Sequence, residues 1–279
     1  MKPNSKIVLA LTTILLWGLA LGSSARSLKI VSTIKPISLI VDAIAGSEVE
    51  NSLLLPQGAS PHHFSMKPSN FRELWQADMI FWVGPELENF LIQPLGSLAS
   101  KGSVVSLGKG LANLPGDAHI WLDPLLAAKM ADRILLELVE KNPENSDKYY
   151  KNLEKLKKSL TDLDVQIRAV LPHSISLAYI LQHQSLDYFE ARYGLSHLGL
   201  LSSGAEHQTS VKNLMDIERL LAAGKTRCVI LEAGYPPSMI KSLNISERSQ
   251  IILFDPMMHD SVDYIDVIEK LAVNMSKCK

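Results

Sequence analysis

The stretch GASPHHFSMKPSN, residues 58–70, sets two adjacent histidines, His62 and His63, behind a proline in a loop. Three more positions carry matching chemistry: His119 opens HIWLDP, His183 opens HQSLDYFEARYGL, and Asp255 closes ILFD. Imidazole nitrogens joined by one carboxylate oxygen make a four-coordinate set suited to Zn2+. Adjacent residues in an extended stretch point to opposite sides, so only one of His62 and His63 can serve a common ion; His62 is the choice. His63 is then exposed or supports the site from behind. His259, four residues past Asp255, can approach the same site from its loop, whereas His173, His197 and His207 are most simply surface residues. Glu206 and Glu232, which end or follow strand-like runs, read as solvated or capping groups.

Residues so far apart in sequence need a frame that brings them together. From Leu28, strand-like runs (28–33, 49–55, 79–84, 103–107) alternate with helical patterns at 36–45 and 68–76. Such alternation predicts a mainly parallel sheet covered on both faces. The rhythm resumes later, with strand-like runs at 176–182, 198–203, 228–234 and 250–255 and helical patterns at 186–193, 211–222, 237–243 and 262–276. Between the halves, Tyr150, Leu153, Leu156, Leu160, Leu163, Ile167 and Val170 recur at spacings of three and four. That stripe, begun by Pro143, predicts one helix of about 40 Å, long enough to be a spine. The expected fold is α/β: two mainly parallel-sheet lobes facing a central cleft and joined by a long backbone helix. Residues 26–142 form the N-terminal lobe, 143–170 the connecting helix and 171–279 the C-terminal lobe. Ligands in such sheets bind at the carboxyl ends of strands, in whose loops His62, His119, His183 and Asp255 are expected.

Composition bounds the setting. Lys2 and Lys6 precede an uncharged run, Ile7 to Leu21, which ends in the small residues Gly22 to Ala25. Residues 1–25 read as a cleaved signal peptide, an export signal that places the protein in the periplasm. An uncleaved leader held in the inner membrane is the alternative. No cysteine stands at the cleavage point to carry a lipid, so a soluble, monomeric mature protein is expected. Losing the two lysines moves the formal charge from −1 to −3, which gives nucleic acid no basic surface to bind. The two cysteines, Cys228 and Cys278, meet an oxidising compartment and are expected to pair.

Taken in order, GASPHHFSMKPSN, WQADMIFWVGPELENFL, HIWLDP, HQSLDYFEARYGL, CVILEAGY and ILFDP resemble the motif set of the ZnuA/TroA-like family, from about residue 28 to the C-terminus. These are the solute-binding components of bacterial zinc and manganese ABC importers. The resemblance implies metal ligands at His62, His119 and His183, and a carboxylate at Asp255 that several members use directly. In other members water or a glutamate beside the first histidine completes the shell, and here Pro61 stands at that glutamate position. If Asp255 is not a ligand, it can orient His183 or His119. Histidine at the third position is the habit of zinc importers, glutamate that of manganese and iron importers. The resemblance also supports the Cys228–Cys278 pair. One departure stands out: GKGLANLPGD, residues 108–117, replaces the long His- and acid-rich loop of many zinc-specific relatives.

The reading that follows is a binding protein, not an enzyme, which captures Zn2+ between stiff lobes and passes it to a membrane permease. Histidines must shed protons to bind a metal, so affinity should fall as the pH drops below about 6.5. The alternatives are a manganese or iron binder of the same family, a secreted zinc hydrolase, or an adhesion module on the same fold. Against a hydrolase, the chain has no H-E-x-x-H and no obvious general base beside the histidines.

Overall fold

The computed structural model describes residues 27–98, 103–114, 116–171, 177–202, 211–232, 235–242, 245 and 249–278. The leader 1–25, His173, Glu206 and His207 lie outside them. Two parallel sheets organise the chain. The first has the order β2-β1-β3-β4, from β1 (Leu28–Ser32), β2 (Val49–Leu53), β3 (Met79–Trp82) and β4 (Ser103–Ser106). The second has the order β5-β6-β7, from β5 (Tyr179–Leu181), β6 (Cys228–Leu231) and β7 (Gln250–Leu253). Strands buried on both sides need apolar residues throughout, and β6, CVIL, is buried at every position.

Helices α1 (Lys35–Ala45), α2 (Pro68–Gln76) and α3 (Ile92–Leu98) belong to the first sheet's crossovers; α6 (Asp187–Tyr193), α7 (Val211–Ala222) and α8 (Pro237–Ser242) follow in the second. Residues 124–141, for which the sequence pattern offers no assignment, form α4 (Pro124–Lys141). Its start is well marked. Asp123 caps it by accepting from the N–H groups of Leu125 (2.8 Å) and Leu126 (3.3 Å), and Pro124 fills the first turn, where no N–H is needed. Of the expected strand at 198–203, the described residues 198–202 run beside β5 without forming a full strand: Leu200 bridges Leu181 in parallel, and Leu198 N–H and Leu201 N–H donate to the Tyr179 (2.8 Å) and Leu181 (2.9 Å) carbonyls.

The spine is a 3-10 turn, Pro143–Asn145, running into α5 (Ser146–Val170). It packs on α1 and α4 and on the last helix, α9 (Tyr264–Met275), and so touches both lobes. Its buried stripe is Tyr149, Leu153, Leu160, Leu163 and Ile167; the expected Tyr150 is instead exposed. Tyr149 and Leu153 are four apart and stack on one face, which turns Tyr150 outward. A disulfide joins Cys228 at the start of β6 to Cys278, as expected from the even cysteine count.

Glu88, fully buried, ties the ends of two strands together. It accepts from the Thr33 hydroxyl just past β1 and from the N–H groups of Val83 and Gly84 just past β3, both at 3.0 Å. Burial pushes its carboxyl up to about 7, against the opposing pull of those donors. The folded state thus holds the proton more tightly than the unfolded chain, whose carboxyl keeps the ordinary value of 4.5. The stability this confers is complete below 4.5 and is lost as the pH rises through 7, about 3 kcal/mol in all. Urea unfolding at pH 5 and pH 8 tests it: Glu88→Gln, neutral at both, should lose less stability between them than the wild type, and equal losses would refute the assignment.

Candidate metal centre

His183, Glu232 and Asp255 sit two, one and two residues beyond β5, β6 and β7, so one sheet delivers all three to its carboxyl edge. Gln182 fixes the first two side by side. Its N–H donates to the Ile230 carbonyl (2.9 Å) and its side-chain oxygen accepts from Glu232 N–H (2.8 Å). The Glu232 carboxylate then stands 2.9 Å from His183 Nδ1, in place of the solvated or capping role expected for it. From the other sheet, the loop after β2 carries His62 and the loop after β4 carries His119.

His119 is 2% exposed and held on several sides. The turn that follows it, Ile120–Leu122, is wholly buried and anchors the backbone. Trp121 packs on the imidazole with ring centroids 5.0 Å apart. Asp117 accepts from the His119 backbone N–H (2.8 Å), from Asp187 N–H (2.9 Å) and from the ring Nδ1 (2.6 Å). Burial opposes the Asp117 charge, but these donors outweigh it and hold the carboxyl below its ordinary range. An ionised carboxylate only accepts, so Nδ1 carries the hydrogen and Nε2 is the atom through which His119 can hold a cation.

The three imidazoles meet. Ring centroids of His62 and His119, His62 and His183, and His119 and His183 lie 5.7, 6.2 and 5.6 Å apart. One nitrogen from each ring falls within 4.8 Å of the others, close enough to share an ion after small adjustments. They border a cavity of about 270 Å3, which Glu232, Asp255 and His259 also line. His63 is exposed and does not line it.

Asp255 lines this cavity but stands outside the close histidine cluster. Its carboxylate accepts from Met257 N–H (2.9 Å), from His259 N–H (2.7 Å) and from His259 Nδ1 (3.1 Å). Burial resists its ionisation, yet the His259 ring and these N–H groups hold the carboxyl below the usual range, and the same contact raises His259. Across the cleft, Trp121 Nε1 donates to the Pro256 carbonyl at 2.8 Å, which fixes the Asp255 loop against the HIWLDP turn.

His197 is not the simple surface residue expected. Its Nδ1 lies 3.0 and 3.1 Å from the two oxygens of the buried Glu190, which raises the ring's proton affinity and, with Asp187, forms a second group of close donor atoms. Glu190 also accepts from the Tyr179 hydroxyl at 2.5 Å, so this group is knitted together internally. Sequence reasoning missed Asp117 altogether. The one available signal was its place two residues before a buried histidine, where a short acid can accept the local N–H.

Comparison with known proteins points the same way as this geometry. Residues 30–278 match the family model described as "Zinc-uptake complex component A periplasmic". The chain is 27% identical to the high-affinity zinc uptake system protein ZnuA of Yersinia pestis, over 90% of this chain and 91% of that protein. A ZnuA of Haemophilus ducreyi is 28% identical over 89% and 92%. In fold, the chain resembles a crystal structure of ZnuA (TM-score 0.81, 23% identity, 91% of this chain and 99% of that one). It also resembles the periplasmic zinc-binding protein TroA of Treponema pallidum (TM-score 0.80, 18% identity, 90% and 99%). Members of this periplasmic family bind metal ions, work with ABC permeases and are not enzymes. With its two parallel sheets, its long spine and a histidine cluster between them, the chain belongs to the ZnuA family of metal-binding ABC solute-binding proteins.

Proposed function

We propose that this protein captures Zn2+ in the periplasm through His62, His119 and His183, with Asp255 in the fourth position, and delivers it to the membrane permease of an ABC importer. The observation that carries the reading is the convergence of three imidazoles from both sheets, two of them beside carboxylates. Three nitrogen donors suit borderline-soft zinc, whereas manganese prefers a more oxygen-rich shell. Three neutral rings leave a dication uncompensated, and the Asp255 charge on the same cavity wall answers that need. Residues 26–142 and 171–279 act as the two jaws and 143–170 as the spine that restrains them. The zinc relatives named above support the choice of cargo, as does the histidine at position 183.

Metal analysis of protein purified without chelators, followed by competition among Zn2+, Mn2+ and Fe2+, tests the assignment. Zinc should co-purify at one equivalent and outcompete manganese by about a hundredfold or more, as the Irving–Williams order and the nitrogen-rich set require. Manganese binding equal to or tighter than zinc would reassign the cargo.

A further inference from the structure

The loop that carries His62 is built from turns of its own. Ala59 N–H donates to the Pro56 carbonyl (3.1 Å), His63 N–H to the Ser60 carbonyl (3.3 Å) and His62 N–H to the Ser60 hydroxyl (3.3 Å). These bonds shape the loop but do not set where it stands relative to the other lobe. Two hydrogen bonds cross to the loop after β7. His259 Nε2 faces the Ala59 carbonyl at 3.3 Å, and the Gln57 amide donates to the Asp260 carboxylate. The other face of the same His259 ring meets Asp255, with Nδ1 3.1 Å from Oδ2 and 3.3 Å from Oδ1. The ring therefore has oxygen acceptors on both sides, one from each jaw. Its position is set by a tight turn in which Met258 adopts a left-handed conformation (φ 56°), an arrangement that a side chain other than glycine rarely takes.

We propose that His259 is a positioning residue, a clasp that links the Asp255 carboxylate to the His62 loop and so sets how long a captured ion stays. The inference rests on the zinc reading above for its cargo, but the clasp itself is a contact between lobes that exists without metal. With the clasp made, His62 is held near His119 and His183, and the ion meets an arranged set of donors. With it broken, one of the two crossings is lost and the Gln57–Asp260 contact is left to hold the loop, so His62 is kept less firmly beside the other rings and leaves the ion more readily. His259 touches the carboxylate and the loop, not the ion.

Two measurements test the clasp. Spin labels on cysteines introduced at the exposed positions Ser65 and Val262 report the spacing of the two loops in metal-free protein. His259→Ala should broaden that distance distribution, and an unchanged distribution overturns the proposal whatever the protein binds. In zinc-loaded protein mixed with excess chelator, His259→Ala should release zinc about tenfold faster, the value of one charge-assisted hydrogen bond, while the absorption bands of the Co2+ form stay as in wild type. Bands that move would make His259 a ligand and overturn the clasp, as would a release rate within twofold of wild type. Should His259→Ala fail to fold, Gln57→Ala and Asp260→Ala break the neighbouring crossing; broader spacing and about threefold faster release are then expected, and wild-type values for both overturn it. A wild type that binds neither zinc nor cobalt sinks the zinc reading alone, because the spin-label spacing still decides the clasp.

Discussion

Replacing His119 by alanine is expected to weaken zinc binding by about a thousandfold or more, equivalent to about 4 kcal/mol. The substitution takes away one of three nitrogen donors and does a second kind of damage. Asp117 is buried, 2.6 Å from the ring it serves, and its charge is held in place largely by that ring. Without the imidazole it keeps only the backbone N–H groups of His119 and Asp187, and a buried carboxylate stripped of its partner typically costs several kcal/mol. Both affinity and metal-free stability should therefore fall. Competition titration against a chelator of known strength measures the first and urea unfolding the second. His63→Ala is the control: its ring is exposed, and affinity should not change. A His119→Ala protein within tenfold of wild type would remove His119 from the set of ligands.

The second large effect concerns the disulfide. Cys228 and Cys278 are separated by 50 residues, and both are fully buried. Closing a loop of that length removes conformational freedom from the unfolded chain worth about 4 kcal/mol. Replacing both cysteines by serine should therefore lower the unfolding free energy by roughly that amount, with the loss larger still if the buried hydroxyls find no acceptor. The native protein should react with no thiol reagent before reduction, and reduced protein should unfold at lower urea. A change below about 1 kcal/mol would mean that the unfolded chain is already compact over this segment.

How far the sequence could foresee these features depends on whether the responsible signal is local. Strand and helix periodicities are local, and β1, α2 and α7 form where the pattern puts them. Phase along a long helix is less well fixed, because Tyr149 and Tyr150 are equally apolar and only the packing against α1 and α4 selects between them. Residues 198–203 have the composition of a strand, and 198–202 do hydrogen-bond along β5, yet β5 is only three residues long and the regular pairing is confined to Leu200 with Leu181. For α4, the cap and proline signals are present at Asp123 and Pro124, inside a motif that reads first as a metal loop. At the site, the histidines stand out because imidazole is scarce and its chemistry narrow. Their carboxylate partners do not: Glu232 reaches His183 from 49 residues away through the pairing of β5 with β6, and nothing local announces it.

The spine packs against α4, α1 and α9, with Tyr149, Leu153, Leu160, Leu163 and Ile167 buried along its inner face. In the transport role proposed above, two halves braced on a shared rod would have little freedom to swing, and full and empty carriers would differ little in silhouette. A membrane partner that admits laden carriers and turns back idle ones must then read fine texture at the rim, where residues 57–63 meet 255–260, rather than overall shape.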